Sequence, residues 1–146
     1  MREYPLRWCI LPLRFHDLLF LSSKSASTLY LLFRVLVGLL FLQHGLQKLG
    51  LLEDQFAVNG FMRFVGLCEP GDGVALVFGV FTRLVALLGT ILLIGAYITT
   101  HAGNGVLPIQ NRGELALLYV AAFAVLFAQG AGRLSLERTF WKREFF

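Results

Sequence analysis

Three stretches of the chain stay apolar long enough to be read as helices at once: 29–49, 84–100 and 115–131. Each has roughly 17–21 residues and, at about 1.5 Å per residue, reaches about 25–31 Å, close to the hydrocarbon thickness of a bilayer. A fourth stretch, 56–81, is interrupted by Cys68-Glu69-Pro70-Gly71-Asp72-Gly73, a run with turn character. Two readings follow. In one, 74–100 is a single long span with Arg83 in its middle, and the chain crosses three times. In the other, a helix ends near Thr82-Arg83 and a new one starts at Leu84, and the chain crosses four times.

Charge placement separates the two. Arg2, Arg7, Arg14 and Lys24 precede the first apolar stretch, and Arg133, Arg138, Lys142 and Arg143 follow the last. Positive charge marks the cytoplasmic side, so both ends belong there and the number of crossings is even. An arginine at mid-bilayer also costs about 3 kcal/mol on insertion scales, whereas in a cytoplasmic turn Arg83 costs nothing of the kind. Four crossings are therefore expected. The second is 64–82, broken near Pro70, with Glu69 capping the inner half and Pro70 in its first position.

Composition agrees with this class. Hydrophobic residues make up 57% of the chain and charged residues 15%, against nearly half and a quarter in ordinary soluble domains. The net charge of +4 lies at the ends and in one turn, so it reads as membrane anchoring and not as a nucleic-acid surface. The expected fold class is all-α: an integral membrane four-helix bundle, preceded by an amphipathic helix at 6–21 on the membrane surface. Three parts follow: an N-terminal cytoplasmic or interfacial segment at 1–28, a transmembrane domain at 29–132, and a basic cytoplasmic tail at 133–146. Arg14, His16 and Asp17 interrupt what a secretory signal would keep apolar. Trp8, Tyr119 and Trp141 are candidates for interfacial anchors or lipid contacts. Cys9 and Cys68 form no CxxC motif and define no disulfide framework.

This topology gathers chemistry at one end. His44 and Lys48 fall toward the outer end of the first helix, Glu69 and Asp72 in the outer half of the second, and His101 and Glu114 on the outer side of the last two. These six form the candidate polar cluster. Arg34 and Arg83 are the inner-side basic residues. Arg34, Gly38, Phe41, Gly45 and Lys48 recur at alternating spacings of 4 and 3, so they form one stripe. Its glycines permit close helix approach and turn it toward the interior. A structural reading stands beside the chemical one. Lys48, His101 and Glu114 lie near span ends, where long or polar side chains snorkel to the headgroups. Arg34 can be a packing residue bonded to carbonyls. Two carboxylates within a span need partners, and His44 or Lys48 can supply them. The pair His44 and His101 does not specify a haem, and no metal site is assigned.

At these residues the sequence resembles a known family. RVLVGLLFLQHGLQKL from Arg34, EPGDGVALVFGVFTR from Glu69, HAGNG from His101, GELALL from Gly113 and GAGRLSLE from Gly130 are similar, in order and spacing, to the DoxX family of small four-helix membrane proteins, which includes DoxD-like members. The likeness covers about residues 30–137. The interval 51–68 is shorter than is usual in the family. The resemblance implies a place in, or beside, a membrane redox system in the bacterial inner membrane. Some relatives are quinone-linked subunits, as in thiosulfate:quinone oxidoreductase, and others belong to oxidative-stress or sulfur-redox complexes. It does not by itself assign an enzyme.

Three functions are open on the sequence. One is a subunit of, or accessory to, a quinone-linked oxidoreductase or respiratory complex, with quinone the possible ligand. Another is a non-catalytic assembly subunit, whose alanine-rich last helix packs against protein partners or a second copy. The third is a small transporter built on a broken second helix. The bilayer is a partner in all three, and nucleic acid in none.

Overall fold

The computed structural model describes residues 23–52 and 60–141. The surface helix expected at 6–21 lies outside the described residues, as do Trp8, Cys9, the side chain of Trp141, and Lys142 and Arg143. The described residues form helices and turns, with no strand among them: α1 Ser23–Lys48, α2 Gly60–Phe78, α3 Thr82–Ala96, α4 Pro108–Asn111, α5 Glu114–Gln129 and α6 Leu136–Trp141. Helix α3 runs on through a π turn, Tyr97–His101, and a 3-10 turn, Ala102–Asn104. Helix α1 begins six residues before the apolar stretch that announces it, because Ser23–Thr28 are compatible with helix though not apolar. Helix α2 starts and ends four residues earlier than expected. The chain reverses between α2 and α3 at residues 79–81, where Gly79 (φ 67°) and Phe81 (φ 50°) are both left-handed. Gly79 takes that conformation without a Cβ penalty. Arg83 thus sits in the first turn of α3, half-buried, and not in a loop.

The break expected at Pro70 is absent: α2 is continuous through it, so Glu69 caps nothing. An interior proline forfeits one backbone hydrogen bond and crowds the preceding turn, at about 3 kcal/mol. Packing on both sides offsets that cost. A Cβ placed on Gly45 of α1 would run into the Pro70 ring. One turn before Pro70, a Cβ on Gly66 would lie 2.9 Å from the Lys48 Cβ, and one turn after it, a Cβ on Gly73 would lie 2.7 Å from the Gly38 carbonyl. Helices α1 and α2 therefore approach backbone to backbone on both sides of Pro70, which keeps α2 helical through its weakest residue. An opened helix would also leave further polar backbone groups to be satisfied.

Four helices share one core. Val37 and Phe41 of α1, Leu76 of α2, Leu93 of α3 and Tyr119 and Phe123 of α5 belong to a single buried cluster. Phe123 lies over Gly89, where any side chain would meet its ring. Tyr119, considered from sequence as an interfacial anchor, is instead buried at 7% exposure. Its ring stands 5.5 Å from Phe41 and 6.4 Å from Phe123.

The outside of the long helices is largely apolar, and two charges lie within. Leu32, Leu36 and Leu39 of α1, Ile91 of α3, Ile98 of the π turn and Leu118 of α5 are all exposed, while Arg34 and Glu69 are buried. Two helical stretches, Lys24–Lys48 and Thr82–Asn104, are long and apolar enough to cross a membrane, with only 22% and 28% of their apolar windows buried. A core helix of a soluble protein would be mostly covered. Exposed apolar surface on this scale belongs against lipid.

Candidate functional site

At the Lys48 end of α1, helices α1, α2, α3 and α5 line a cavity of about 540 Å³. Its walls carry Phe41, His44, Gln47 and Lys48 from α1, and Met62 and Glu69 from α2. Leu93, Ala96, Thr99, Thr100 and His101 come from α3 and its π turn, and Leu115, Ala116 and Tyr119 from α5. Arg112 completes the wall from the residues just before α5.

The centre of the polar side is an ion pair. Lys48 Nζ donates to Glu69 Oε1. Glu69 is 1% exposed and Lys48 18%, so the carboxylate is held inside while the ammonium reaches the cavity. The stripe on α1 explains the placement: Gly45 admits Pro70, Gly66 admits Lys48, and the two charges meet where α1 and α2 are closest. The second carboxylate oxygen, Glu69 Oε2, is buried and has no hydrogen-bond partner among the described residues. Buried polar atoms are seldom left so. His44 lies one turn from Lys48, its ring edge-on to Tyr119 at 5.5 Å and 86°.

The far wall is set by the π turn. A π turn inserts an extra residue into a helix and is frequent at functional sites. Here it brings Thr99, Thr100 and His101 onto the cavity. His101 Nδ1 lies 2.9 Å from the Asn111 carbonyl oxygen. Asn111 is 3% exposed. Its side-chain amide donates to Tyr97 Oη at 3.1 Å and to the Gly105 carbonyl at 3.0 Å, and its side-chain oxygen accepts from the Gly113 N–H at 2.8 Å. Arg112, next in the chain, ends α4 in the left-handed conformation at φ 58°. A non-glycine residue held there carries roughly 1–2 kcal/mol of strain.

Of the six residues in the expected polar cluster, the fold brings His44, Lys48, Glu69 and His101 to the cavity and leaves Asp72 and Glu114 off its wall. Asp72 lies one turn beyond Glu69 on α2, half-buried, with Oδ2 unpartnered among the described residues. Glu114 is exposed in the first turn of α5, where a carboxylate complements the helix N-terminus. Sequence reasoning did not single out Gln47, Met62, Arg112 or Tyr119 as cavity residues. A signal for Tyr119 was present: Tyr119, Phe123 and Leu126 recur at 4 and 3 along α5 and mark its buried face.

The two inner-side arginines are elsewhere. Arg34, 2% exposed, donates through Nη1 to the Ala131 carbonyl and through Nη2 to the Leu134 carbonyl at 2.9 Å. Tyr30, one turn earlier, donates to the Gly130 carbonyl at 2.5 Å. Together they grip the link between α5 and α6. Ser135 caps α6 by accepting from the Arg138 N–H at 3.3 Å. Gly79 abuts the Arg34 guanidinium, so no side chain fits there, and its carbonyl accepts from the Glu137 N–H at 3.4 Å. Arg83 stands at the same end, in the first turn of α3.

Known proteins share this sequence pattern. The family model DoxX matches residues 29–102. An uncharacterized protein of Haemophilus influenzae is 32% identical over 121 residues, covering 75% of this chain and 89% of its own length. A Bacillus subtilis protein named "Putative oxidoreductase CatD" is 32% identical over 122 residues, covering 79% of this chain and 89% of its own length. No solved structure matches the chain. Glu69, His44 and His101 all lie inside the matched residues, and with them most of the cavity wall. The chain is a membrane protein of the DoxX family.

Proposed function

We propose that the chain is a four-crossing protein of the bacterial inner membrane, with both ends cytoplasmic, that binds a quinone or quinol in the cavity at the Lys48 end on behalf of a membrane oxidoreductase. The observation that carries this reading is the cavity itself. An apolar floor of Phe41, Leu93 and Tyr119 meets a polar wall of His44, Lys48, Glu69, His101 and Arg112. A quinone ring needs apolar surface for its faces and hydrogen-bond donors for its two carbonyls; the quinol needs acceptors. Both are supplied within about 540 Å³, inside the usual range for small-molecule sites. His, Lys and Glu side chains hold and exchange protons, Arg only donates hydrogen bonds, and none of them carries electrons, so the reading includes a protein partner that does. The name of the Bacillus relative supports the redox class.

The four crossings rest on charge and length. The basic clusters flank the apolar region at both ends. Helix α2 has 19 residues, about 28 Å at 1.5 Å per residue; its carboxylates Glu69 and Asp72 are turned away from full exposure, Arg63 is exposed in its first turn, and Phe64, Leu67 and Phe78 face outward.

The test is quinone binding to the purified chain in lipid nanodiscs. Glu69→Gln and His44→Ala are each expected to weaken binding at least about tenfold, the loss of one good polar contact. Binding that is unchanged in both variants removes the quinone reading. If a co-purifying complex then keeps its activity with both substitutions, the chain is a non-catalytic assembly subunit.

A further inference from the structure

His101 presents two ring nitrogens, and the fold has already used one. Nδ1 lies 2.9 Å from the backbone carbonyl oxygen of Asn111. A carbonyl only accepts. In the neutral ring, therefore, the proton sits on Nδ1 and the lone pair on Nε2. The carbonyl is not free to turn away, because every polar group of the Asn111 side chain is engaged, with Tyr97, Gly105 and Gly113. Tyr97 and His101 lie at the two ends of the same π turn, their rings 6.0 Å apart. Asn111 thus clamps that turn from both ends while buried beneath the loop that carries it.

The consequence falls on the cavity. His101 lines it, and Nε2 is the ring nitrogen left for what enters. Elsewhere on the wall Lys48 and Arg112 only donate, His44, Gln47, Tyr119 and the threonines can donate or accept, and Glu69 gives Oε1 to Lys48 while Oε2 is unpartnered among the described residues; His101 Nε2 adds an acceptor whose state the fold fixes. We propose that Asn111 is a positioning residue that fixes His101 as the Nδ1–H tautomer, so that Nε2 accepts a hydrogen bond from a ligand hydroxyl and the cavity selects the hydroxyl-bearing, reduced ring over its carbonyl form. The choice of ring rests on the quinone reading above; the clamp on His101 does not.

Nitrogen NMR on the full chain in nanodiscs, labelled with ¹⁵N-histidine, tests both parts. The spectra are taken at about pH 9, above the ordinary imidazole range. His101 is expected to show a protonated Nδ1 and an unprotonated Nε2. Asn111→Ala is expected to release the ring to the tautomer mixture of a free imidazole. A wild-type His101 protonated on Nε2 overturns the inference, whether or not the Asn111 variant folds. Adding a soluble hydroquinone is expected to shift the His101 Nε2 resonance, and adding the matching benzoquinone is expected to leave it in place. His101→Asn keeps a donor for the Asn111 carbonyl but offers no acceptor at Nε2. It is expected to hold the wild-type melting temperature and to lose at least tenfold in hydroquinone affinity, while benzoquinone affinity changes less than twofold. Equal losses for both rings overturn the selectivity. A correct tautomer with no binding of either ring leaves the clamp standing and removes the quinone reading instead.

Discussion

Helix α1 carries two inward-facing cations, Arg34 and Lys48, fourteen residues apart and so about 21 Å apart along the axis. They lie on one stripe, yet the protein treats them in opposite ways. Arg34 is sealed by carbonyls from the α5–α6 link, with Tyr30 and Gly79 closed around it. Neutral backbone acceptors satisfy a guanidinium whose charge is permanent. Lys48 instead meets a carboxylate at the wall of a cavity. A lysine–glutamate pair can exchange protons and ligands; an arginine held by backbone cannot. One end of the helix is closed by packing and the other opens on a cavity.

That contrast breaks most readily at Arg34. Arg34→Ala leaves the Ala131 and Leu134 carbonyls without their donor and empties a packed site. The expected loss is about 3–5 kcal/mol, read as a collapse of thermal stability in detergent. Quinone affinity of the surviving folded fraction should be unchanged. If Arg34→Ala melts normally, the closed end is not a structural lock.

Glu69→Gln should cost less stability, about 1–3 kcal/mol, because Lys48 keeps access to the cavity. Its main effect is the loss of binding. The double variant Lys48→Met with Glu69→Met should recover most of the stability and none of the affinity, since an apolar pair can replace a buried ion pair in folding but not in recognition. Recovery of both would make the pair purely structural.

Between the two cations lies the backbone contact that sets their distance. Gly45→Ala pushes a methyl group into the Pro70 ring, with an expected cost of about 1–3 kcal/mol. Pro70→Ala should relieve part of it, because it removes the obstructing ring and restores one helix bond. A double-mutant cycle by thermal melting measures the coupling, and full additivity would contradict the contact.

The smallest effect is expected at Arg112. Arg112→Gly relieves its left-handed backbone and should leave stability unchanged or raise it by about 1 kcal/mol. It also removes a donor from the cavity wall, so quinone affinity should fall. Equal affinity would show that the strain serves the loop alone.

Much of the frame could be read from the chain because its signals are periodic and strong. The stripe from Arg34 to Lys48 repeats every three or four residues, and the apolar stretches differ sharply from their flanks. Those features brought His44, Lys48, Glu69 and His101 toward one end. Asp72 was drawn in by its closeness to Glu69 in sequence, but it lies one turn further from the Lys48 end, at the level where Gly73 meets Gly38 and not where Gly66 meets Lys48. Pro70 misled because a local rule, that proline breaks helices, yields where a neighbouring helix packs tightly on both sides of it. Arg112 and Asn111 could not be found by pattern: their places depend on a short helix and a left-handed residue, which leave no period in the sequence. Tyr119 was visible in the spacing of α5, but its aromatic type also fits the membrane interface, and only packing against Phe41 and Phe123 decides between them.

The central question is whether the cavity beside the Lys48–Glu69 pair receives a quinone ring. A photoreactive quinone, cross-linked to the wild-type chain in nanodiscs and mapped by mass spectrometry, addresses this directly. Labelling is predicted at cavity residues such as Met62 and Tyr119, with loss of label when excess unmodified quinone competes and when Glu69 is glutamine. Labelling confined to the outward-facing leucines of α1, or spread evenly and indifferent to competition, would contradict it.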